Sequence, residues 1–300
     1  MNTKVSIAGV ELKNPVMTAS GTFGSGMEYS EFVNLDKLGA VVTKGVANVP
    51  WPGNPTPRVA ETYGGMINAV GLQNPGIDTF VNRDIPFLKK YDTRIIVNVC
   101  GRSESDYIEV VEKLADEPVD MLEINISCPN VKEGGIAFGQ CASNVEHITS
   151  AIKKVAKQPV IMKLSPNVTD ITEMARAAEA GGADAISLIN TITGMKIDIN
   201  RQTFAVANKT GGLSGPAIKP VAVRMVYQAA NAVSIPIIGM GGISNAEDAL
   251  EFILAGATAV AVGTANFHNP RATVDVIEGI ERYMSDKNID DINDIIGKVK

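Results

Sequence analysis

The sequence predicts an α/β fold, a single closed (β/α)8 TIM barrel that spans residues 1–300. Three observations predict it. Short, apolar, β-branched runs alternate with helical segments, the alternation occurs eight times, and no linker or change in composition divides the chain. Doubly wound sheets usually have about five or six parallel strands, so eight repeats favour a closed barrel. The length also suits a barrel of about 250 residues with insertions.

Each predicted strand is short and largely apolar, as expected of parallel strands that are buried on both faces. Turn residues flank these runs and distinguish them from fragments of buried helices. The eight strands are Val16–Ser20, Ala40–Gly45, Ile95–Gly101, Met121–Ser127, Val160–Ser165, Ala185–Asn190, Pro236–Gly241 and Ala259–Thr264.

Helix signals occupy the segments between the strands. Capping-box patterns begin at Ser103, Ser143, Asp170 and Ser244, each with an acidic residue three positions later. Glycines stand just before the next strand, where they suit the left-handed position that ends a helix. These glycines are Gly39, Gly181, Gly182 and Gly256.

Three segments extend beyond a minimal barrel. Val5–Leu12 alternates around Ala8-Gly9 and is predicted to form a hairpin that caps the bottom of the barrel. Residues 46–76 follow the second strand, and residues 191–215 follow the sixth. Both long segments leave from the carboxyl ends of strands, where barrel active sites lie, so we expect them to serve the active site.

Composition excludes several classes of protein. The net charge is −6 and no five like charges stand in a row, which argues against a nucleic-acid groove or a basic membrane patch. The three cysteines form no Cys-x-x-Cys pair, so neither a disulfide framework nor a metal or iron–sulfur site is expected. No segment resembles a signal peptide or approaches the roughly 20 apolar residues of a membrane helix. These features predict a cytoplasmic enzyme.

Polar residues mark the end of the fourth strand. Glu123, Asn125 and Ser127 alternate with isoleucines and so point to one face of a buried strand, where they need polar partners. Cys128 follows at once. A lone cysteine is often a small buried apolar residue, but its position at a barrel mouth, between Asn125 and Asn130, favours a functional role.

Lysines form a second group. Lys44 ends the second strand and Lys163 lies within the fifth. A charge inside a barrel is costly unless it is paired or bound to an anion. Lys163 could form an internal salt bridge, for instance with Glu123. Two lysines at one mouth nevertheless favour a negatively charged ligand.

Glycine-rich turns follow the seventh and eighth strands, at Gly241-Gly242 and Gly263-Thr264. The corresponding loops of many barrels bind phosphate through backbone N–H groups. The pair therefore predicts a phosphate site. By contrast, residues 21–26 do not fit the dinucleotide fingerprint.

Other candidate residues point less clearly to a role. His147 and His268 are expected on the surface, and Cys100 and Cys141 are expected to pack in the interior. Trp51 lies in a proline-rich stretch, where it either packs the long segment or meets a partner.

Several strings resemble the class 1 dihydroorotate dehydrogenases, in chain order from about residue 4 to 285. In that family the catalytic base is a cysteine, at the position of Cys128. The stretch 212–228 is more similar to the NAD-linked class 1B catalytic subunit than to the fumarate-linked class 1A enzyme. The resembling strings are 18–21, 66–76, 125–131, 163–167 and 212–217.

The resemblance implies FMN at the barrel mouth, with its phosphate on Gly241, Gly242, Gly263 and Thr264. The complete set of implied FMN-binding residues is Ser20, Lys44, Gly45, Asn98, Asn125, Lys163, Ile189, Gly215, Gly241, Gly242, Gly263 and Thr264. The implied dihydroorotate-binding residues are Lys44, Asn68, Ala69, Val70, Gly71, Leu72, Asn125, Asn130, Asn190 and Thr191. Cys100 departs from the family pattern, where a smaller residue is expected.

The resemblance also implies a mechanism. Cys128 would take a proton from C5 of dihydroorotate while the C6 hydride passes to flavin N5, yielding orotate for pyrimidine synthesis. Lys163 would stabilise the reduced ring. Segment 129–140 would close over the substrate. No metal is expected.

The class 1B resemblance implies a partner subunit that carries FAD and a [2Fe–2S] cluster and passes electrons to NAD⁺. The two kinds of subunit would form a heterotetramer built on a homodimer of this chain.

Four alternatives remain at this stage. The first is a fumarate-linked class 1A enzyme, and the second is a related flavin barrel that reduces uracil-type rings or tRNA uridines. A tRNA enzyme should be basic, and this chain is acidic. The third is a non-redox barrel aldolase, lyase or isomerase that uses Lys163 as a Schiff base, and the fourth is a catalytically idle subunit.

Overall fold

A computed structural model describes residues 1–126 and 139–299. Within them, eight parallel strands form a closed barrel, as predicted. The strands follow one another around the barrel in chain order, and the eighth pairs with the first through Val260 and Val16. They are Val16–Thr18, Ala40–Val42, Arg94–Val99, Met121–Asn125, Val160–Lys163, Ala185–Leu188, Ile237–Met240 and Ala259–Val262.

Helices follow the strands and cover the outside of the barrel, burying a largely aliphatic core between the two layers. The longer α-helices are Glu104–Leu114, Ala142–Lys153, Ile171–Ala180, Lys219–Ala230, Ala246–Leu254 and Ala272–Lys287. The shorter ones are Ile77–Thr79, Ile85–Leu88 and Ala265–His268, with a π-helix at Phe80–Asp84. Turns of 3₁₀ helix lie at Tyr29–Glu31, Leu35–Lys37, Pro216–Ile218 and Ile292–Ile295.

Two of the four predicted helix starts are confirmed. Ser103 forms a full capping box with Asp106, and the side chain of Asp170 accepts a hydrogen bond from the Thr172 N–H. In both cases the residue before the helix is extended, so its side-chain oxygen can reach the free N–H groups of the first turn.

The starts predicted at Ser143 and Ser244 are wrong. The helix after the fourth strand begins behind Cys141, whose side chain makes no capping hydrogen bond. The helix after the seventh strand is capped by Asn245, which accepts from the Asp248 N–H. The backbone enters each helix in a different register from the predicted one, and the extended residue at that point becomes the cap.

Gly182 and Gly256 have the predicted left-handed conformation, with φ of +92° and +117°. Gly181 has a φ of −70°, and Gly39 is not among the residues with positive φ. A Cβ at Gly39 would lie only 2.2 Å from the backbone oxygen of Asn14. Close approach of two chain segments, rather than a left-handed turn, therefore requires glycine at position 39.

The predicted N-terminal hairpin is confirmed. Val5–Ile7 pairs antiparallel with Val10–Leu12, and Ala8 and Gly9 form the turn with φ of +50° and +82°. The Arg94 side chain, at the start of the third barrel strand, donates a hydrogen bond to the Glu11 carbonyl. The hairpin therefore covers the amino-terminal end of the barrel.

The two long segments form one structure. Their strands build a single antiparallel sheet in the order Ile192–Met195, Thr210–Ser214, Gly65–Asn68, Val59–Thr62. Leu213 of one segment pairs with Ile67 of the other. A further hairpin joins Ile197–Asp198 to Thr203–Phe204. Strand pairing thus connects segments that are far apart in the sequence.

Candidate functional site

A cavity of about 410 Å³ lies at the carboxyl end of the barrel strands, under the antiparallel sheet. Its volume is within the range of small-molecule sites. The barrel contributes loop residues that follow its strands, and the sheet contributes Met66, Asn68 and Ser214. The long segments therefore complete the walls of a site that the barrel strands begin.

All of the residues expected to hold a flavin line this cavity. They are Ser20, Lys44, Gly45, Asn98, Asn125, Lys163, Ile189, Gly215, Gly241, Gly242, Gly263 and Thr264. The residues come from the carboxyl ends of all eight barrel strands and from the end of a sheet strand. Their roles stay predictions, but their convergence on one cavity is a property of the fold.

Most residues expected to hold the substrate line the same cavity. These are Lys44, Asn68, Val70, Gly71, Leu72, Asn125, Asn190 and Thr191. Ala69 does not line the cavity; it packs in a separate apolar cluster with Ile67 and Val206. This placement follows from the alternation of side chains at the end of the Gly65–Asn68 strand.

Cys128 and Asn130 lie outside the described residues, as do Ser127 and most of segment 129–140. Asn125 precedes them at the end of the fourth strand and lines the cavity. The predicted roles of Cys128 as base and of segment 129–140 as a lid therefore remain predictions.

A buried polar network lies at one end of the cavity. Lys163 Nζ donates to Ser20 Oγ at 2.8 Å and lies 3.3 Å from Glu123 Oε1. Asn98 Nδ2 donates to the same carboxylate oxygen at 2.6 Å, and Ser187 Oγ donates to Oε2 at 2.8 Å. Lys163 therefore forms the internal salt bridge with Glu123 and also lines the cavity, while its role toward a negatively charged ligand stays a prediction.

The cross-strand register explains this network. Asn98 lies opposite Glu123 on neighbouring strands, and Lys163 lies between Asn125 and Ser187. Residues opposite one another in parallel strands point to the same face. Four adjacent strands thus place polar side chains in two neighbouring rows inside the barrel.

Lys44, the second lysine, is half-buried at the same mouth. Its Nζ lies 3.7 Å from the position that a Cβ would take at Gly21. Lys44 and Lys163 both line the cavity. The site therefore presents two ammonium groups to a ligand, which favours an anionic or electron-rich one.

Glycines form the opposite end of the cavity. Gly215, Gly241 and Gly242 have φ of +100°, +128° and +80°. A Cβ at Gly241 would lie 2.8 Å from the Cβ of Ala222. Thr264 Oγ1 donates a 2.8 Å hydrogen bond to Ser214 Oγ, which joins the eighth-strand loop to the sheet. This glycine-rich backbone suits close approach by a phosphate.

A charged cluster supports the glycine end from behind. The backbone of Lys219 packs against Gly242, and its Nζ contacts Asp248 and Glu251, each at 2.6 Å. Hydrogen bonds to Asp248 and then to Glu251 raise the pKa of Lys219. This lysine does not line the cavity, so its charge stabilises the surrounding helices.

Several cavity residues were not predicted from the sequence. They are Thr22, Met66, Ser214, Met240, Ser244 and Phe267, among others. Ser214 and Met240 adjoin predicted glycines and Ser244 lies two residues past Gly242, so their neighbourhood was a usable signal. Nothing in the local sequence distinguishes Phe267, which is exposed.

The cysteine and tryptophan predictions have different outcomes. Cys100 is buried as predicted and packs beside Trp51, whose ring also contacts the Arg102 guanidinium at 4.7 Å. Trp51 therefore packs the long segment onto the barrel. Cys141 is exposed, so its predicted packing role is wrong. Hydrogen bonds lower the pKa of the Cys141 thiol, and the largest contribution comes from the Ser143 side chain.

Both histidines are exposed, as predicted. His147 contacts Glu104 on the outer helices at 2.8 Å. Among the described residues, no helix has the length and apolar character needed to cross a membrane.

Comparisons with known proteins show the family of this chain. The family model for dihydroorotate dehydrogenase matches residues 2–284. The chain is 74% identical over 300 residues to a protein of Lachnoclostridium phytofermentans named dihydroorotate dehydrogenase B (NAD(+)), catalytic subunit, and the match covers all of both chains. It is 68% identical over 298 residues to the protein of the same name from Alkaliphilus oremlandii, covering 99% of each.

The fold is also similar to a solved structure, that of an Eimeria tenella DHODH in complex with ferulenol. That similarity has a TM-score of 0.82 at 24% identity, and it covers 99% of this chain and 88% of the other. The family match spans nearly the whole chain and includes both ends of the cavity. The chain therefore belongs to the dihydroorotate dehydrogenase family.

Proposed function

We propose that this chain is the FMN-dependent catalytic subunit of a class 1B dihydroorotate dehydrogenase, which oxidises dihydroorotate to orotate in pyrimidine synthesis. The observation that carries the proposal is the single cavity that collects the residues expected around FMN and dihydroorotate. Lys163, Asn98 and Asn125 line one part of it, and the positive-φ glycines Gly215, Gly241 and Gly242 line another.

The cavity residues fit FMN at both ends. No side chain fits at 215, 241 or 242, where an added Cβ would lie 2.7–2.8 Å from other protein atoms. The cavity wall is therefore bare backbone at these positions, which suits the phosphate. Asn98, Asn125 and Lys163 offer amide and ammonium groups to the ring. When bound, FMN would supply the acceptor for the hydride that leaves C6 of the substrate.

Dihydroorotate has a ring with amide donors and acceptors and a carboxylate. Asn68, Asn125 and Asn190 suit the ring, and Lys44 suits the carboxylate. Cys128 would take the C5 proton; an unperturbed thiol has a pKa of about 8.5, so a modest lowering makes it a usable base near neutral pH. The antiparallel sheet over the mouth limits access of water.

The names of the relatives support NAD⁺ as the final acceptor, since they specify NAD(+) and a catalytic subunit. The sequence has no dinucleotide fingerprint of its own. A partner subunit with FAD and a [2Fe–2S] cluster would therefore carry the electrons onward to NAD⁺. The two kinds of subunit would form a heterotetramer built on a homodimer of this chain, and the assembly would lie in the cytoplasm. The names favour this arrangement over the fumarate-linked class 1A enzyme.

The test is the absorbance spectrum of the purified chain with and without dihydroorotate. We expect flavin bands that dihydroorotate bleaches under anaerobic conditions, with orotate as the product. A colourless protein after addition of FMN would support a non-redox lyase or isomerase. A flavin that dihydroorotate leaves oxidised would support a different substrate or an idle subunit.

A further inference from the structure

Glu123 contacts the cavity residues without lining the cavity itself. Its carboxylate is 1% exposed and receives hydrogen bonds from the third, fifth and sixth strands. Two of its three partners, Asn98 and Lys163, line the cavity, and the third, Ser187, does not. One carboxylate thus connects two cavity residues to the interior of the barrel.

The charge of Lys163 depends on this contact. Lys163 is 3% exposed, and its described partners are Glu123 and the Ser20 hydroxyl. A buried ammonium is costly without an opposite charge, so removing one member of a buried pair costs far more than the pair itself contributes. Without Glu123, the Lys163 ammonium would lose its buried counter-charge and would no longer be held at this position.

The orientation of Asn98 also depends on Glu123. An ionised carboxylate only accepts hydrogen bonds, so Asn98 must present its NH₂ group to Glu123. The Asn98 Oδ1 then faces Asn125 Nδ2, at 3.5 Å. Both asparagines line the cavity. Glu123 therefore determines which amide atoms the Asn98–Asn125 pair can offer to a ligand.

We propose that Glu123 is a positioning residue that holds the Lys163 ammonium at the ring end of the cavity and orients Asn98. This inference rests on the proposed binding of FMN, because its effect is read at the bound flavin. It assigns to Glu123 a role in setting the charge beside the ring, in addition to its contribution to the barrel interior.

A double-mutant cycle tests the proposal with Glu123→Gln, Lys163→Met and the double variant. The probe is sulfite, which adds reversibly to oxidised flavin and leaves a negative charge on the ring. Its dissociation constant is measured on the FMN-loaded proteins by loss of absorbance. FMN dissociation constants are measured on the same four proteins by fluorescence.

We expect Glu123→Gln to weaken sulfite binding roughly tenfold or more, because the positive charge leaves the ring. We expect the same substitution to have less than about a twofold effect when Lys163 is already methionine, because Glu123 acts through Lys163.

Unchanged sulfite binding in Glu123→Gln would make Glu123 purely structural. Tighter sulfite binding in Glu123→Gln would mean that the Glu123 carboxylate only reduces the positive charge that Lys163 presents to the ring. Equal effects in both backgrounds would exclude action through Lys163. Each of these three results overturns the proposal.

Two further variants control the experiment. Asp84→Asn removes another buried carboxylate, which pairs with Arg83 and does not line the cavity; we expect sulfite binding within about twofold of wild type. If Glu123→Gln does not fold, Ser187→Ala removes one donor to the carboxylate and should weaken sulfite binding about two- to fivefold, but not in the Lys163→Met background. Unchanged sulfite binding in Ser187→Ala with Lys163 intact would overturn the proposal. A wild-type protein that binds no FMN would instead refute the proposed function.

Discussion

Lys163 donates a 2.8 Å hydrogen bond to Ser20 across the mouth of the barrel. Lys163 ends the fifth strand, and Ser20 follows the first. These strands lie on opposite sides of an eight-stranded barrel. The lysine side chain therefore spans the floor of the cavity, where its charge reaches a ligand at the centre.

Replacing Lys163 with alanine should weaken FMN binding or slow flavin reduction by dihydroorotate. Loss of a preorganised cation in a desolvated site costs on the order of several kcal/mol of electrostatic stabilisation. Flavin content and rapid-mixing kinetics measure the two effects. Lys153→Ala, which removes a lysine paired with Asp184 outside the cavity, is the control and should change neither. Wild-type values for Lys163→Ala would assign Lys163 to a structural salt bridge alone.

Replacing Cys128 with alanine should leave FMN and orotate binding intact but abolish nearly all flavin reduction, because the base is lost. Cys128→Ser should retain a trace of activity that rises with pH, since a hydroxyl is a far weaker acid than a thiol. Rapid-mixing measurement of flavin bleaching checks both variants. Cys141→Ser is the matched control, and it should behave as wild type because Cys141 is exposed just before an outer helix. Normal bleaching by Cys128→Ala would place the base elsewhere.

Replacing Gly241 with alanine should weaken FMN binding at least about tenfold, because the added Cβ meets Ala222 at 2.8 Å and φ is +128°. Gly256→Ala is the control: its φ is +117°, its Cβ would meet Ala230 at 2.5 Å, and it lies outside the cavity. Both variants should be less stable, but only Gly241→Ala should bind FMN weakly. Calorimetric titration with FMN below the unfolding temperature separates the effects. Equal FMN affinities in the two variants would contradict a phosphate role for Gly241.

Asp291 should contribute stability that depends on pH. Hydrogen bonds from the Asn2 side chain, and then from Asn293, lower its pKa. A lowered folded-state pKa means that the contribution is present above the unfolded pKa of about 3.9 and is lost as pH falls through the folded value. Asp291→Ala should therefore lower the unfolding free energy at pH 7 by about 0.5–1 kcal/mol, a value kept small by solvent screening.

Urea denaturation of Asp291→Ala and wild type at pH 7 and below pH 4 measures this contribution. The difference between the two proteins should shrink at the lower pH. Asp291→Asn retains a side-chain acceptor that does not titrate, and so serves as the control. A difference of the same size at both pH values would mean that the Asp291 charge contributes nothing.

The isolated chain should reduce artificial dyes with dihydroorotate but not NAD⁺. It should gain NAD⁺ activity when a subunit that carries FAD and a [2Fe–2S] cluster is added, because this sequence has no fingerprint for a dinucleotide. Assays of orotate formation with each acceptor, with and without the partner, distinguish the possibilities. Efficient turnover with fumarate by the chain alone would identify a class 1A enzyme instead.

The barrel could be predicted from the sequence because its signals are local. Each buried strand is an apolar run such as Val160–Lys163, and helical segments separate the runs. Residues at strand ends of a closed barrel must converge on one mouth. For that reason Lys44, Asn125 and Lys163 could be placed around one site before their contacts were known.

Cap register and side-chain environment were less predictable. The sequence around Ser244 fits a capping box, yet Asn245 is the cap because the backbone is extended one residue later. Cysteine is a residue type that is usually buried, but Cys141 stands just before a surface helix and is exposed. Small differences in backbone direction, which propensity does not encode, decide such positions.

The sequence by itself determined the order of strands, the identities of the residues at their ends and the family resemblance. Only the tertiary structure decided that the segments after the second and sixth strands pair as one sheet, and that the Glu123 carboxylate contacts both Asn98 and Lys163. The physical reason is that strand periodicity is a pattern of residues that neighbour one another in the sequence. Pairing between Ile67 and Leu213, or between Glu123 and Lys163, depends on hydrogen bonds and charges that meet only after the barrel closes.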